Sequence, residues 1–326
     1  MRTLITGGAG FIGSHLTDLL VARGDEVVVL DDLSTGSVDN LATSIDSLQF
    51  VEGSVLDEDL VDSLVARADR VFHLAAAVGV HTILGEPLRS LRTNLHGTEN
   101  VLEASLTHDA EILIASTSEI YGKNTADALS EDADRILGSP LTARWTYAAA
   151  KGLDESFAHA YAREHGLRVA IARPFNTVGP RQTGRYGMVV PNLVRQAIAG
   201  APLTVHGDGT QTRCFGYVGE VAPALVALLE EPHAHGRAVN LGGAREVSIL
   251  ELAGIIRDRT ESESEVTLVP YSEAYGEGYE DMQRRVPNNQ LAAELIGYEP
   301  RLPLERIVDA VVDGVRGRLE RAGSRA

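Results

Sequence analysis

Tyr147 and Lys151 are the pair of residues in this sequence that most directly suggests chemistry. They lie four positions apart in RWTYAAAKGL, so an alanine-rich helix would place a phenol and an amine one turn apart. A phenol with a pKa of about 10 is a poor base at neutral pH, but a nearby ammonium group stabilises its phenolate form. The pair therefore suggests a proton-transfer site. Taken alone, it also fits the exposed face of an amphipathic helix.

A glycine-rich segment near the N-terminus has the spacing of a nucleotide-binding turn. In TGGAGFIGSHL, Gly7, Gly10 and Gly13 follow the first apolar run and open the first helical segment. Glycines at these positions let the backbone turn sharply and approach a pyrophosphate, while the helix N-terminus presents amides to it. Asp31 ends the next apolar run, where a carboxylate accepts hydrogen bonds from ribose hydroxyls and repels a 2′-phosphate. These residues predict a dinucleotide site that favours NAD over NADP.

Both groups of residues lie in a chain that alternates apolar runs with amphipathic segments. The runs TLIT, EVVVL, LQFVEG, RVFHLA, EILIAS and LRVAIA are typical of buried parallel strands, and FIGSHLTDLLVARG is typical of a helix that stops at Gly24. This alternation predicts an α/β fold with a doubly wound parallel sheet (Rossmann). Later in the chain, helices are expected near 189–199, 219–230, 248–259 and 304–317. We therefore expect an NAD-binding domain over 1–175 and a smaller α/β substrate lobe over 176–326, interwoven with the first.

Composition narrows the class of protein. The 326-residue chain has a formal charge of −17, which argues against a nucleic-acid surface because phosphate binding needs a basic stripe. A single cysteine, Cys214, excludes an intramolecular disulfide and suits a reducing compartment. No apolar run approaches the roughly 20 residues of a membrane span, and the first strand starts too early for a signal peptide. The ten histidines have no metal-ligand spacing, so no metal is expected. We expect a cytoplasmic protein.

Five segments together resemble the extended short-chain dehydrogenase/reductase family. They are TGGAGFIG, DDLSTG, HLAA at 73–76, the TN..GT pattern at 93–98, and YAAAK. The resemblance extends from residue 2 to about residue 315. It implies that Tyr147 is the catalytic base and acid, and that Lys151 binds the nicotinamide ribose and lowers the pKa of the tyrosine. The cofactor-binding residues that it implies are Gly7, Gly10, Phe11, Ile12, Gly13, Asp31, Asp32, Ser54, Val55, Leu74, Ala75, Ala76, Asn94, Tyr147 and Lys151.

The end of the run EILIASTSEIYG carries the triplet Thr117-Ser118-Glu119, which separates chemistries within the family. In the nucleotide-sugar branch, a hydroxyl at the position of Thr117 hydrogen-bonds the 4-hydroxyl of the sugar. The 4,6-dehydratases carry Asp and then Glu at the next two positions, and many 4-epimerases carry a small or neutral residue at the second. Thr-Ser-Glu instead resembles UDP-glucuronate decarboxylases, which implies that Thr117, Ser118 and Glu119 are catalytic. A solvated acid at the end of the strand is the alternative for Glu119.

Segments of the second half resemble the nucleotide-sugar binding segments of the same branch. ARPFNTVGPR and PLTVHGDGTQTRCF imply that Asn176 contacts the diphosphate, His206 lies beside the uracil and Arg213 binds phosphate. YGEGYEDMQRRVP resembles a decarboxylase segment in which Arg285 matches an active-site arginine, and a guanidinium suits this role because it orients carboxylates and diphosphates. Arg185, in TGRYGMVV, could meet a sugar carboxylate or solvent. The implied substrate contacts are Asn176, Arg185, Val190, Thr204, His206, Gln211, Arg213 and Arg285.

The leading expectation is an NAD-dependent UDP-glucuronate decarboxylase, which oxidises C4, loses carbon dioxide and yields UDP-xylose, the 4-keto pentose or both. A UDP-glucuronate or UDP-glucose 4-epimerase is the alternative, because it needs the same first oxidation. A more remote alternative is an NAD-sensing binding protein, although such proteins commonly lack the tyrosine or the lysine. The resemblance also implies a homodimer, formed through helices near 94–107 and 145–164 whose Leu, Val and Ala residues offer an apolar face.

Overall fold

A parallel sheet of seven strands forms the centre of the fold. The computed structural model describes residues 1–78, 85–184, 187–275 and 280–323. The described strands, in chain order, are β1 (Arg2–Thr6), β2 (Glu26–Asp31), β3 (Leu48–Glu52), β4 (Arg70–His73), β5 (Glu111–Ala115), β6 (Val169–Pro174), β7 (Thr177–Val178), β8 (Leu203–His206), β9 (Thr212–Cys214), β10 (Gly216–Tyr217), β11 (Ala238–Leu241), β12 (Glu246–Ser248), β13 (Val266–Val269) and β14 (Arg284–Arg285). The large sheet has the order β11-β6-β5-β4-β1-β2-β3, with every neighbouring pair parallel. The doubly wound α/β fold expected from the sequence is confirmed, and the six expected strands are β1 to β6.

Helices alternate with these strands and flank the sheet. In chain order they are α1 (Phe11–Ala22), α2 (Glu58–Val65), α3 (Pro87–Thr107), α4 (Thr146–His165), α5 (Val189–Ile198), α6 (Val218–Glu230), α7 (Ile249–Thr260), α8 (Tyr271–Tyr275), α9 (Gln290–Ile296) and α10 (Leu304–Gly323). The four helices expected in the second half correspond to α5, α6, α7 and α10, and the last of these is longer than expected. After α1, Gly24 has a φ of +84°, the left-handed conformation that a glycine at a helix stop supplies.

Apolar side chains cover both faces of the large sheet, as a parallel sheet between two layers of helices requires. Because successive strand residues point to opposite faces, Leu4 and Ile5 of β1 belong to different clusters. On the Ile5 side the sheet packs against α1 and α6, through residues such as Leu16 and Leu225. On the Leu4 side it packs against α2, α3 and α4, through residues such as Val101. Each large apolar side chain removed from water stabilises the folded state by about 1.5–3 kcal/mol. Burial on both faces therefore holds the sheet in place, together with the strand ends that carry the site.

The second half of the chain adds smaller sheets and a second apolar core. In its described part, β7 pairs with β10, β8 pairs with β13, and β9 lies between β12 and β14. The second core joins α5, α7 and α10 through residues that include Val194, Ile256 and Val311. β11 also comes from this half, yet it lies in the large sheet beside β6. The division into domains between residues 175 and 176 stays a prediction.

Cys214, the only cysteine, is a packing residue. It is buried on β9, and burial raises the pKa of its thiol to about 12, so the reactive thiolate is scarce at neutral pH. Within the described ranges, no helix combines the length and the apolar character needed to cross a membrane. The same ranges contain no group of three or more His, Cys, Asp or Glu side chains arranged to hold a metal ion.

Candidate active site

A large cavity connects the carboxyl ends of the central strands with the small sheets of the second half. Its volume is about 1030 Å³. Ligands of doubly wound folds bind at this edge of the sheet. The expected site residues that line it are Gly7, Gly10, Phe11, Ile12, Gly13, Asp31, Asp32, Val55, Leu74, Ala75, Ala76, Thr117, Ser118, Glu119, Tyr147, Asn176, Val190, Thr204, His206, Gln211, Arg213 and Arg285. The fold therefore brings most of the expected residues into one cavity.

The glycine turn forms one end of this cavity. Gly7 has a φ of +73°, and a Cβ there would lie 2.7 Å from the backbone nitrogen of Ala75. A Cβ on Gly13 would lie 2.1 Å from the carbonyl oxygen of Gly7, so neither position accommodates a side chain. Gly10 precedes α1 and lines the cavity. The first-turn amides of α1, which lack partners within the helix, are therefore placed to bind a pyrophosphate, and the turn fits a dinucleotide.

Asp31 connects this turn to the end of β2. Its side chain is buried and accepts hydrogen bonds from Ala9 N at 2.9 Å and from Leu33 N at 2.8 Å. Burial raises the pKa of the carboxyl, and the two backbone hydrogen bonds oppose that rise. Because Asp31 also lines the cavity, it both holds the turn and offers an acceptor to a ribose.

Asp31→Ala should weaken NAD binding roughly tenfold or more, because it removes a charged acceptor and the tie to Ala9. The affinity for NADP should fall less, because its 2′-phosphate no longer meets a carboxylate in the variant. The preference for NAD over NADP should therefore become smaller. Dissociation constants for both cofactors, measured by calorimetry, check this. Asp31→Asn keeps an acceptor but lacks the charge, and it separates the two effects. Equal affinity of the unmutated protein for NAD and NADP would contradict the assignment.

Three expected cofactor residues do not line the cavity. The hydroxyl of Ser54 turns to its own loop, where it accepts a hydrogen bond from Leu56 N at 3.2 Å. Asn94 on α3 is fully buried and accepts a hydrogen bond from Ala77 N at 3.0 Å, so it shapes the loop after β4. Lys151 is also buried. Direct contact of these three side chains with the cofactor stays a prediction, and Arg185 lies outside the described residues.

Tyr147 lies in the first turn of α4, at the wall of the cavity. Thr117 follows β5 and begins a short 3₁₀ turn, and its hydroxyl accepts a hydrogen bond from Glu119 N at 3.2 Å. The side chains of Tyr147 and Thr117 are hydrogen-bonded to each other. Burial raises the pKa of Tyr147, the negative charges of Glu119 and Asp154 raise it further, and the hydrogen bond with Thr117 lowers it. A phenol and a hydroxyl thus lie together at the wall of the cavity.

Lys151 forms an ion pair within α4. Its Nζ lies 3.0 Å from Oδ2 of Asp154, three residues further along α4, and both side chains are buried. The positive charge of the ammonium is therefore balanced by a carboxylate. Burial, Glu119 and Asp154 raise the pKa of Tyr147, in that order of size, and the expected lowering of this pKa by Lys151 stays a prediction. Binding of the nicotinamide ribose by Lys151 stays a prediction.

Glu119 bridges two buried arginines. Its Oε2 lies 2.6 Å from Nη1 of Arg144, and its Oε1 lies 3.4 Å from Nη1 of Arg285. Burial opposes ionisation of this carboxyl, but the charges of Arg144 and Arg285, with their hydrogen bonds, outweigh burial and lower the pKa of Glu119 to about 2. Glu119 is therefore a carboxylate at neutral pH and is not a proton donor. The alternative of a solvated acid at the end of the strand is wrong.

Arg213 and Arg285 are neighbours on paired strands. β9 and β14 run parallel, with Arg285 opposite Arg213. Nη2 of Arg213 lies 3.1 Å from Oδ2 of Asp281. Nη2 of Arg285 donates a hydrogen bond to Oδ1 of Asn176. All four side chains line the cavity, so two guanidiniums and an amide are available to an anionic substrate.

Several aromatic side chains line the part of the cavity formed by the second half of the chain. Nδ1 of His206 lies 3.0 Å from the hydroxyl oxygen of Tyr275, and the two rings meet edge to face. The rings of Tyr271 and Tyr275 are stacked, with centroids 6.3 Å apart. Nε2 of Gln211 donates to the carbonyl oxygen of His206 at 2.8 Å. Flat rings beside an amide suit a planar base.

The sequence does not single out Arg144 or Asp281, although both line the cavity. Arg144 precedes Tyr147 by three positions, and this spacing of about one helical turn is the feature of the sequence that could indicate a place in the site. Its partner Glu119 lies 25 residues earlier, and no local sequence pattern links residues at that separation. Asp281 lies in YGEGYEDMQRRVP, a segment whose arginines indicate anion binding, and no pattern there indicates a carboxylate that pairs with Arg213.

Comparison with known proteins identifies the family. Residues 3–242 match the NAD dependent epimerase/dehydratase family. The chain belongs to this family. The resemblance drawn from the motifs is thereby confirmed, and so is NAD as the cofactor. The protein is an NAD-dependent enzyme that modifies nucleotide sugars.

Relatives in this family include decarboxylases and epimerases. UDP-N-acetyl-alpha-D-glucosaminuronate decarboxylase of Bacillus cytotoxicus is 40% identical over 306 residues, which are 94% of each chain. UDP-glucuronic acid decarboxylase 1 of Xenopus tropicalis is 37% identical over 319 residues, 98% of this chain and 73% of the relative. UDP-glucose 4-epimerase of Thermus thermophilus, solved in complex with NAD, is 30% identical with a TM-score of 0.86, covering 97% of this chain and 99% of that chain.

Proposed function

We propose that this enzyme is an NAD-dependent UDP-glucuronate decarboxylase. The observation that carries the proposal is the ionised Glu119 between Arg144 and Arg285, in the same cavity as Tyr147 and Thr117. Guanidinium groups suit a sugar that carries a carboxylate. The decarboxylases of Bacillus cytotoxicus and Xenopus tropicalis add support from sequence.

Tyr147 removes the proton of the 4-hydroxyl in the first step. When bound, NAD supplies a hydride acceptor for C4 and later returns the hydride. Thr117 hydrogen-bonds the same sugar oxygen, so two side chains hold the 4-position as its proton leaves. Because burial raises the pKa of Tyr147, the phenolate needs a compensating cation, and we assign Lys151, one turn along α4, to that role.

Loss of carbon dioxide follows from the ketone at C4. The C6 carboxylate is then that of a β-keto acid, and the electrons of the C5–C6 bond delocalise into the ketone as carbon dioxide leaves. Tyr147 and Thr117 hydrogen-bond the developing enolate oxygen. Glu119, whose pKa is about 2, balances the charges of Arg144 and Arg285, so that they do not over-stabilise the substrate carboxylate before it leaves. It also orients a water, through which C5 takes its proton from solvent. Reduction of the ketone before release gives UDP-xylose, and earlier release gives the 4-keto pentose.

Two sets of side chains bind the substrate in this proposal. Arg213 and Asn176 hold the diphosphate, and Arg285 holds the sugar carboxylate, because these groups converge on one part of the cavity wall. His206 and Tyr275 lie beside the uracil, where their rings offer a stacking surface.

A UDP-sugar 4-epimerase is the second candidate, favoured by the similarity to the Thermus thermophilus enzyme. It would use the same oxidation by Tyr147 but would return the hydride to the other face of the ketone with all sugar carbons retained. A decarboxylase whose substrate carries a 2-acetamido group is favoured by the Bacillus cytotoxicus relative. An NAD-sensing binding protein has less support, since both Tyr147 and Lys151 are present.

The test is incubation of the enzyme and NAD with UDP-glucuronate, and separately with its 2-acetamido counterpart, followed by mass analysis of the products. Loss of carbon dioxide from UDP-glucuronate supports the proposal. Turnover of the 2-acetamido substrate alone would keep the decarboxylase but change its substrate. UDP-galacturonate with six sugar carbons would make the enzyme an epimerase.

The homodimer remains a prediction, and one exposed surface makes it testable. α3 and α4 lie side by side, and α4 leaves Leu153 and Phe157 exposed on one face. An apolar stripe of this kind is typical of a two-fold interface. Phe157→Asp should convert a dimer at micromolar concentration into a monomer, as measured by light scattering. Leu250→Asp, a charge placed at an exposed leucine of α7, is the matched control, and a wild-type monomer would contradict the prediction.

A further inference from the structure

Arg144 takes no part in the steps described above, yet it is the closer of the two arginines that contact Glu119. We propose that Arg144 is a positioning residue that holds the Glu119 carboxylate away from Arg285, and so leaves Arg285 to bind the carboxylate of the substrate. The inference deepens the proposed decarboxylase function and rests on it. It makes Arg144 a determinant of the preference for an acidic sugar.

Glu119 shares its two oxygens unequally between the arginines. The contact with Arg144 is 2.6 Å, whereas the contact with Arg285 is 3.4 Å. A charge-assisted hydrogen bond between nitrogen and oxygen is about 2.7–2.9 Å long, so the second contact is weak. Nε of Arg285 is also buried without a hydrogen-bond partner among the described residues. Arg285 therefore retains donor capacity for another carboxylate.

Arg144 is held firmly enough to fix its partner. Its side chain is 4% exposed, and its Nη2 lies 3.7 Å from Oδ1 of Asp281. Its guanidinium lies over the ring of Trp145, 5.3 Å from the centroid. Nε1 of Trp145 donates a hydrogen bond to Oε2 of Glu280 at 2.9 Å, which fixes the ring in turn. A cation held by an acid and a ring determines where the Glu119 carboxylate lies.

The charged cluster around Glu119 has capacity for one more anion. It consists of Arg144, Arg213, Arg285, Glu119 and Asp281. Three guanidiniums against two carboxylates leave one positive charge in excess. Burial and the charge of Arg213 lower the pKa of Arg285 to about 10, so that Arg285 stays protonated at neutral pH. Without Arg144, Glu119 would close on Arg285 and compete with the carboxylate of the substrate.

The same contact determines the pH range in which Glu119 is ionised. The groups that face it are Arg144 in the short turn before α4, Tyr147 in the first turn of α4, Thr117 beside it, and Arg285 on β14. Burial raises the pKa of Glu119, and Arg144 is the largest influence in the opposite direction. Removing Arg144 should therefore raise this pKa. A function that needs the carboxylate is lost as the pH falls through the pKa, so the acid limb of decarboxylation should move toward neutral pH.

Binding measurements in a background that blocks turnover test the inference. In Tyr147→Phe, UDP-glucuronate should bind about tenfold more tightly than UDP-glucose, which lacks the carboxylate. Adding Arg144→Gln should remove most of that preference and leave the affinity for UDP-glucose within about twofold. Adding Glu119→Gln as well removes the competing carboxylate and should restore the preference. The preference for UDP-glucuronate in Arg144→Lys should lie between those of the Tyr147→Phe background and Arg144→Gln. Arg284 pairs with Glu246 away from the cavity, so adding Arg284→Gln should leave the preference of the background unchanged.

The outcomes separate positioning from a structural role. The inference is overturned if Arg144→Gln or Arg144→Lys weakens the binding of UDP-glucuronate and of UDP-glucose equally. It is also overturned if the preference for UDP-glucuronate survives in Arg144→Gln. An unmoved acid limb in the pH profile of Arg144→Gln decarboxylation also counts against it. Failure of the wild-type enzyme to release carbon dioxide would overturn the proposed function instead. The binding series is independent of that result because turnover is blocked in it.

Discussion

Tyr147→Phe should lower the rate of C4 oxidation by about three orders of magnitude, within the range for loss of a general acid–base group. The substitution removes the hydroxyl that takes the sugar proton and keeps a ring of similar size in a buried site, so fold and NAD binding should survive. Formation of reduced NAD after rapid mixing with UDP-glucuronate measures the step directly.

A second tyrosine on the same helix provides the control for this result. The hydroxyl of Tyr161 contacts Glu103 near the other end of α4 and does not line the cavity. Tyr161→Phe should oxidise the sugar at the wild-type rate. Retention of more than about a tenth of that rate by Tyr147→Phe would remove Tyr147 from its assigned role.

Glu119→Gln should slow the loss of carbon dioxide by about two to three orders of magnitude, a size typical of losing one preorganised charge. Oxidation at C4 precedes this step, so NAD binding and the first hydride transfer should persist. The carboxylate that balances Arg144 and Arg285 is then gone, and the two cations stabilise the substrate carboxylate in its ground state. Reduced NAD should therefore accumulate in Glu119→Gln, whereas in Tyr147→Phe it should form about a thousandfold more slowly than in the wild-type enzyme.

Glu246 provides a matched control for the loss of a paired carboxylate. Glu246 forms an ion pair with Arg284 at 2.7 Å. Arg284 is the neighbour of Arg285 in the chain, but neither Arg284 nor Glu246 lines the cavity. Glu246→Gln should release carbon dioxide at nearly the wild-type rate. Equal loss of C4 oxidation and decarboxylation in Glu119→Gln would show that Glu119 acts before the ketone forms, contrary to its assigned role.

Local patterns predict the cofactor half of the site because its geometry is local. The turn around Gly7 and Gly13 admits only glycine, and Asp31 ends the strand beside it. Parallel strands bring such residues together at their carboxyl ends, so the alternating pattern is enough to place them in one cavity. Lys151 and Asp154 also lie at a spacing that a helix brings together, and their pairing was readable from the sequence.

Contacts between residues that are far apart in the chain cannot be predicted from local sequence patterns. Glu119 meets Arg144 and Arg285 across separations of 25 and 166 residues, and no local pattern links them. The short run of β11 gives no sign that it returns to the large sheet beside β6. The raised pKa of Tyr147 depends first on burial and next on the charge of Glu119, 28 residues earlier in the chain, and both are properties of the folded chain.

The most direct test of the decarboxylase function follows the C6 carbon itself. The wild-type enzyme and NAD are given UDP-glucuronate labelled with carbon-13 at C6, and the reaction is followed by NMR. We predict that the label leaves the sugar as carbon dioxide and bicarbonate while an unlabelled UDP-pentose appears. A label that stays in a six-carbon UDP-sugar, inverted at C4, would contradict the decarboxylase and assign the cavity to a 4-epimerase.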